Sequence, residues 1–138
     1  MRYPNKTYEI PDGRKMCVVL ESDPINGSTV FRLDYEGAIM ISFGYTGLQL
    51  EACDNQKKLN EDEFLLDIIT YPWAVDWFAE NNLAEPTGET RTWLKDIKYA
   101  FDTGNLTNWN ESANPNSGIE RYDYPVYKVN IAEIKKGE

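Results

Sequence analysis

The segment from Tyr71 to Leu83 constrains the fold most, because it carries the clearest helix signals in the chain. Pro72 occupies the place of a first helical residue, where its missing N–H has no intrahelical partner to lose. Tyr71 precedes the proline and is therefore expected at the cap. Asn81 and Asn82 offer a left-handed residue to end the helix. The pattern predicts a helix over about 72–82, and its many apolar positions predict that the helix is mostly buried.

Two acidic residues share the one polar strip of this helix. Asp76 and Glu80 lie four residues apart, beside Trp73 on the helical wheel. If buried, they would form a carboxylate pair with one raised pKa. On an exposed strip, they would only repel each other weakly. We favour the exposed strip, and we expect Trp73 and Trp77 to belong to the core.

Length and composition fit one globular domain over residues 1–138. The hydrophobic content of 41% supports a packed core. No apolar run approaches the roughly 20 residues that cross a bilayer, and no signal layout stands at the N-terminus. These observations predict a cytoplasmic protein without membrane binding.

The chain contains no histidine, which removes the commonest general base and the commonest transition-metal ligand. Cys17 lies in an apolar run and is expected in the core, and Cys53 has only Lys57 or Lys58 nearby to activate it. The cluster Glu61-Asp62-Glu63 lacks the spacing of an EF-hand calcium loop and is expected to be a solvated loop. We therefore predict no cofactor, no metal and no catalytic residue.

Negative charge is concentrated in one segment. The chain has a formal net charge of −9, and residues 51–90 contain ten acidic residues against Lys57 and Lys58. Such a field repels phosphate backbones and anionic lipid, so direct nucleic-acid binding is not expected. A basic protein partner remains open, and so does the simpler interpretation that the charge only maintains solubility.

The first half predicts short antiparallel strands separated by turns such as Pro11-Asp12-Gly13 and Asp34-Tyr35-Glu36-Gly37. We expect 38–43 at the centre of the sheet, and 48–52 as a further strand. Residues 63–69 are compatible with a strand or a helical turn. The fold class is α+β, an antiparallel β-meander of five to six strands packed against the main helix and a shorter helix at about 91–102.

Three features of the second half complete the prediction. The asparagine-rich segment 104–118 is expected to be a long exposed loop, and Trp109 within it is a candidate partner contact. Residues 121–131 resume a strand pattern in which Pro125 indicates an edge position. Residues 133–138 are expected to be a frayed tail.

The motifs Tyr71-Pro72-Trp73-Ala74, Pro86-Thr87-Gly88, Ser117-Gly118 and Tyr124-Pro125-Val126-Tyr127 resemble a known pattern. It is that of small domains of unknown function encoded on conjugative transposons and other mobile elements of Firmicutes and Bacteroidetes. The resemblance covers roughly residues 61–131. This sequence departs from the pattern by carrying about two dozen extra residues between Thr90 and Ser117. The resemblance implies a mobile-element accessory protein and no catalytic residues.

Three functions remain open at this stage. The first is an inhibitor of the anti-CRISPR or anti-restriction type, a DNA mimic that blocks a basic nucleic-acid-binding surface of a host nuclease. The second is an immunity-type or housekeeping interaction module that uses Trp109 and the 104–118 loop. The third is an enzyme based on carboxylates and tyrosines. For the first, the candidate partner-binding residues are Glu61, Asp62, Glu63, Asp76, Glu80, Glu85 and Trp109.

Overall fold

The first half of the chain forms a four-stranded antiparallel sheet. The structure, a computed structural model, describes residues 1–24, 27–44, 58–96 and 119–138, with the backbone alone for 92–96 and 119–122. The strands of this sheet lie side by side in chain order, as a meander. They are β1 (Arg2–Glu9), β2 (Lys15–Ser22), β3 (Thr29–Tyr35) and β4 (Ala38–Ser42).

The second half forms a three-stranded antiparallel sheet in the order β5-β7-β6. Its strands are β5 (Glu63–Leu65), β6 (Ala84–Asp96) and β7 (Ile119–Val129). Helix α1 (Ala74–Asn81) connects β5 to β6, and a short helix α2 (Ile131–Ile134) with a 3₁₀ turn (Lys135–Gly137) follows β7. The α+β class is confirmed, although the described residues contain seven strands in two sheets rather than five or six in one.

The turn between β3 and β4 shows why the sequence predicts a meander. Glu36 and Gly37 both have positive φ angles, 53° and 90°. This conformation suits the two-residue hairpins whose twist matches the flanking strands. The Asp34 carboxylate accepts a hydrogen bond from the Gly37 N–H at 2.8 Å and holds the turn.

Trp73 is the N-cap of helix α1, so the predicted start at Pro72 with Tyr71 as the cap lies two residues too early. The C-cap is Asn82, which has the predicted left-handed conformation with a φ angle of 56°. Its inner face consists of Ala74, Trp77 and Phe78. Val75 is exposed, so the prediction of a mostly buried helix is wrong. The apolar residues outside the inner face remain in water because the helix covers the sheets with one side only.

An aromatic cluster joins α1 to both sheets. The Phe78 ring lies 5.1 Å from Phe31 of the first sheet and 5.8 Å from Tyr127 of the second, centroid to centroid. Phe43 and Phe64 complete the contacts at 4.9 and 5.7 Å from Phe78. Edge-to-face and tilted pairs of this kind add stability beyond burial alone. One hydrophobic core therefore connects the two sheets.

The second helix predicted at about 91–102 is wrong for 91–96, which belong to β6. Residues from Thr90 to Asp96 pair with β7 in continuous register. This long-range pairing overrides the local helical spacing of the apolar residues. The rest of that predicted helix, the predicted strand 48–52 and the loop 104–118 lie outside the described residues.

Two strand positions also differ from expectation. Within the described residues, β4 lies at the edge of its sheet, and Ile39 and Met40 are about half exposed. Strand β7, which contains Pro125, is central rather than at an edge. The proline is tolerated where pairing changes on both sides: β5 pairing begins at Val126, and β6 shifts register between Pro86 and Thr90.

The C-terminal residues are docked rather than frayed. Ile134 is buried in the core, and Asn130 caps α2 by accepting a hydrogen bond from the Glu133 N–H. The Glu133 carboxylate forms an ion pair with Lys6 of β1 at 2.9 Å. Gly137 packs so closely on β1 that an added Cβ would lie 3.0 Å from the Cβ of Lys6. The prediction failed because the apolar anchor is one isoleucine in a charged segment.

Candidate partner-binding surface

One face of α1 positions the first group of candidate residues. Trp73, at the N-cap, and Asp76, Trp77 and Glu80 within the helix are three or four positions apart, which places them on the same side. The Trp77 indole N–H donates a hydrogen bond of 2.8 Å to the Glu9 carbonyl oxygen at the end of β1. This bond fixes the helix face against the β1–β2 turn.

A groove of about 420 Å³ lies between that helix face and the turn. Trp77 is buried and Trp73 is half-buried, whereas the acidic residues of the groove are exposed. The groove thus has an aromatic wall and an acidic edge. Its lining residues are Glu9, Ile10, Pro11, Gly13, Trp73, Asp76, Trp77 and Glu80.

The carboxylates of the groove have no ion-pair partner within the described part of the chain, a statement that holds for Glu9, Asp76 and Glu80. The nearby Arg14 guanidinium instead contacts Asp12 at 2.6 Å, and this contact lowers the pKa of the Asp12 carboxyl. Among the described residues, nothing forms an ion pair with the negative charge of the groove. Asp76 and Glu80 are both exposed, which confirms the predicted exposed strip.

A second group of candidates lies where β5 and β6 begin. Glu61, Asp62 and Glu85 are exposed there. Lys128 of β7 stands opposite Glu85 in the strand register, and its ammonium nitrogen lies 3.8 Å from an Asp62 carboxylate oxygen. Both partners of this ion pair are about half exposed, so it contributes little to stability. One lysine thus partly offsets three exposed carboxylates.

Glu63 differs from the other candidates because it is only 7% exposed. Its carboxylate accepts a hydrogen bond from the Asn60 N–H at 2.8 Å and so holds the turn before β5. Glu63 therefore has a structural role in this turn. Trp109 lies outside the described residues.

Sequence reasoning missed the contribution of the β1–β2 turn to the groove. Glu9 and Ile10 stand more than sixty positions before Asp76 in the chain. The hydrogen bond from Trp77 brings the two segments together, and such a long-range bond cannot be predicted from a local sequence pattern. The sequence signal that pointed to the groove was the four-residue spacing within each of two pairs, Trp73 with Trp77 and Asp76 with Glu80.

Other kinds of site find little support in the described ranges. In residues 1–24, 27–44, 58–96 and 119–138, no group of three Cys, Asp or Glu side chains is placed to hold a metal ion. Cys17 is buried as a free thiol, as predicted. No helix among those residues is long and apolar enough to cross a membrane. Comparison with protein-family models, curated proteins and solved structures finds no match for this chain.

Proposed function

We propose that this protein is a non-enzymatic acidic binding domain that acts in the cytoplasm and inhibits a host nuclease of the CRISPR or restriction type. In this function, its carboxylates occupy a basic surface on which the nuclease binds nucleic acid. The observation that carries the proposal is the groove, where three exposed carboxylates lack ion pairs within the described residues. The resemblance to mobile-element domains adds the biological context.

Electrostatics explains how such a domain would compete with nucleic acid. Unpaired exposed carboxylates leave a negative potential at the surface, which steers a basic partner and accelerates association. Carboxylates that already had cationic partners would contribute little to this potential. Glu9, Asp76 and Glu80 are therefore the residues on which binding should depend most.

The test is capture of partners from bacterial host lysate on the immobilised protein, at about 50 mM and about 500 mM salt, since the higher concentration shortens the Debye length several-fold. The captured protein is identified by mass spectrometry and then assayed for nucleic-acid binding in the presence of the domain. We expect a nuclease that is retained at low salt only and that loses nucleic-acid binding as the domain is added. Absence of any salt-sensitive basic partner would refute the proposal.

A matched pair of variants separates a specific surface from bulk charge. The double variant Asp76→Asn/Glu80→Gln removes two charges at the groove. The control Glu36→Gln/Glu138→Gln removes two exposed charges elsewhere. We expect loss of capture with the first variant and none with the second. If both capture normally while Trp109→Ala does not, the interaction module based on the aromatic loop replaces this proposal.

A further inference from the structure

We infer that the groove between α1 and the β1–β2 turn accepts an arginine side chain of a binding partner. The biological partner in this inference rests on the proposed function, whereas the chemistry rests on the groove alone. A volume of about 420 Å³ lies within the range of small-ligand sites and accommodates one long side chain. The surroundings then determine which side chain fits.

The aromatic wall favours a planar cation. The Trp73 ring is held in place by edge contacts with Phe43, Tyr71 and Trp77, at centroid distances of 5.9, 5.9 and 6.0 Å. Because Trp73 is only half-buried and lines the groove, part of its side chain is available to a partner. Guanidinium groups stack on tryptophan faces, and a ring already fixed by packing loses little entropy when they do.

The acidic edge favours a cation with many donors. Asp76 and Glu80 lie one helical turn apart and repel each other, and Glu9 of β1 also lines the groove. A guanidinium has five N–H donors in a rigid fork, so it is able to contact more than one carboxylate while it stacks. A lysine ammonium has three donors and no planar face. Arginine therefore satisfies both walls of the groove.

No cation of the chain competes for this position within the described residues. Arg14 is held by Asp12 on one side and lies over the Tyr35 ring, 5.6 Å from its centroid. Lys15 stands opposite Glu9 in the strand register but forms no ion pair with it. The groove is thus open to a cation from another molecule.

The experiment follows the indole N–H signals of the ¹⁵N-labelled protein by NMR during titration with acetyl-Gly-Arg-Gly-amide. The matched peptides contain citrulline, which is neutral with nearly the same shape, or lysine. Signals are assigned with the Trp73→Phe and Trp77→Phe variants. We expect the arginine peptide to shift the Trp73 and Trp77 signals with a dissociation constant of about 1 mM, and the other peptides to bind more weakly.

Charge variants complete the test. Asp76→Asn/Glu80→Gln should weaken binding of the arginine peptide by about tenfold, and Glu36→Gln/Glu138→Gln by less than about twofold. All four positions are exposed, so folding is expected to be retained and is checked in the same spectra. Equal binding of the citrulline peptide, or unchanged Trp73 and Trp77 signals at about 10 mM arginine peptide, would overturn the inference.

The two proposals fail separately. If the arginine peptide binds but no salt-sensitive partner is captured from lysate, the groove remains an arginine site and the nuclease inhibitor is refuted. If a nuclease is captured although the peptide does not bind, the partner uses other carboxylates, such as those around Lys128.

Discussion

Replacement of Ile134 by alanine should destabilise the protein strongly, although Ile134 lies in the charged C-terminal segment. The side chain is 1% exposed and belongs to the core cluster that joins the two sheets. Ile131 lies in the same short helix, yet it is 44% exposed. The two isoleucines thus form a matched pair in which burial is the main difference.

The expected magnitude follows from the packing. Truncation of a buried isoleucine to alanine costs about 2–5 kcal/mol, and the lower half of that range applies where the surroundings are able to collapse. Helix α2 is a short helix of four residues, so partial collapse is expected there. We therefore expect Ile134→Ala to lower the free energy of unfolding by about 2–3 kcal/mol. Ile131→Ala, at the surface, should change it by less than about 0.5 kcal/mol.

Urea denaturation followed by tryptophan fluorescence measures this difference. With an m-value of about 2 kcal/mol/M, Ile134→Ala should lower the denaturation midpoint by about 1–1.5 M. The milder Ile134→Val should lower the free energy of unfolding by about 0.5–1.5 kcal/mol, which keeps the test readable if the alanine variant is poorly folded. Equal midpoints for Ile134→Ala and Ile131→Ala would show that the tail is frayed and refute the docked arrangement.

Two further predictions concern the same tail and the β3–β4 turn. Hydrogen bonds from Lys136 and, to a lesser extent, from Lys6 lower the pKa of the Glu133 carboxyl below its ordinary value of 4.5. These hydrogen bonds therefore stabilise the docked tail above pH 4.5, and this stabilisation is lost as the pH falls through the lowered pKa. The chemical shift of the Gly137 amide should report this loss, and Glu133→Gln should remove the acid dependence; a shift unaffected by pH in the wild type would contradict the role of Glu133. Gly37→Ala should lower the free energy of unfolding by about 1–2 kcal/mol through backbone strain alone, because the φ angle is +90° and an added Cβ meets nothing within 4 Å. Thermal or urea denaturation measures the change, with Glu36→Gln as the neutral control, and an unaltered stability would show that the turn relaxes without strain.

Local chemistry made the first sheet and the main helix predictable. The turn over Asp34–Gly37 and the left-handed end at Asn82 each act through the backbone of a few neighbouring residues, so their signals are present in short stretches of sequence. The start of the helix was predicted two residues too early, at Pro72. The exposed strip of Asp76 and Glu80 followed from helical periodicity in the same way. The helix side of the groove was therefore predictable from the sequence.

Long-range pairing was not accessible in this way. The apolar spacing around Trp93 fits a helix, yet β7 imposes a strand on 91–96 through register with residues 119–124. Pro125 indicated an edge, but the short β5 and the register shift of β6 accommodate it at the centre of the sheet. Glu9 lies at the groove because its carbonyl oxygen accepts the hydrogen bond from Trp77. Each failure concerns partners far apart in the chain.

The central position of β7 has a consequence for synthesis on the ribosome. Among the described residues, strands β5 and β6 do not pair with each other; both pair with β7, which follows them in the chain. The four described strands of the first meander are complete by residue 42, whereas β5 must wait for Val126 and its neighbours. At about 5–20 residues per second, this interval lasts several seconds, during which β5 lacks the strand with which it pairs. A nascent chain stalled before residue 119 should therefore hold a formed meander and depend on chaperones for the remainder.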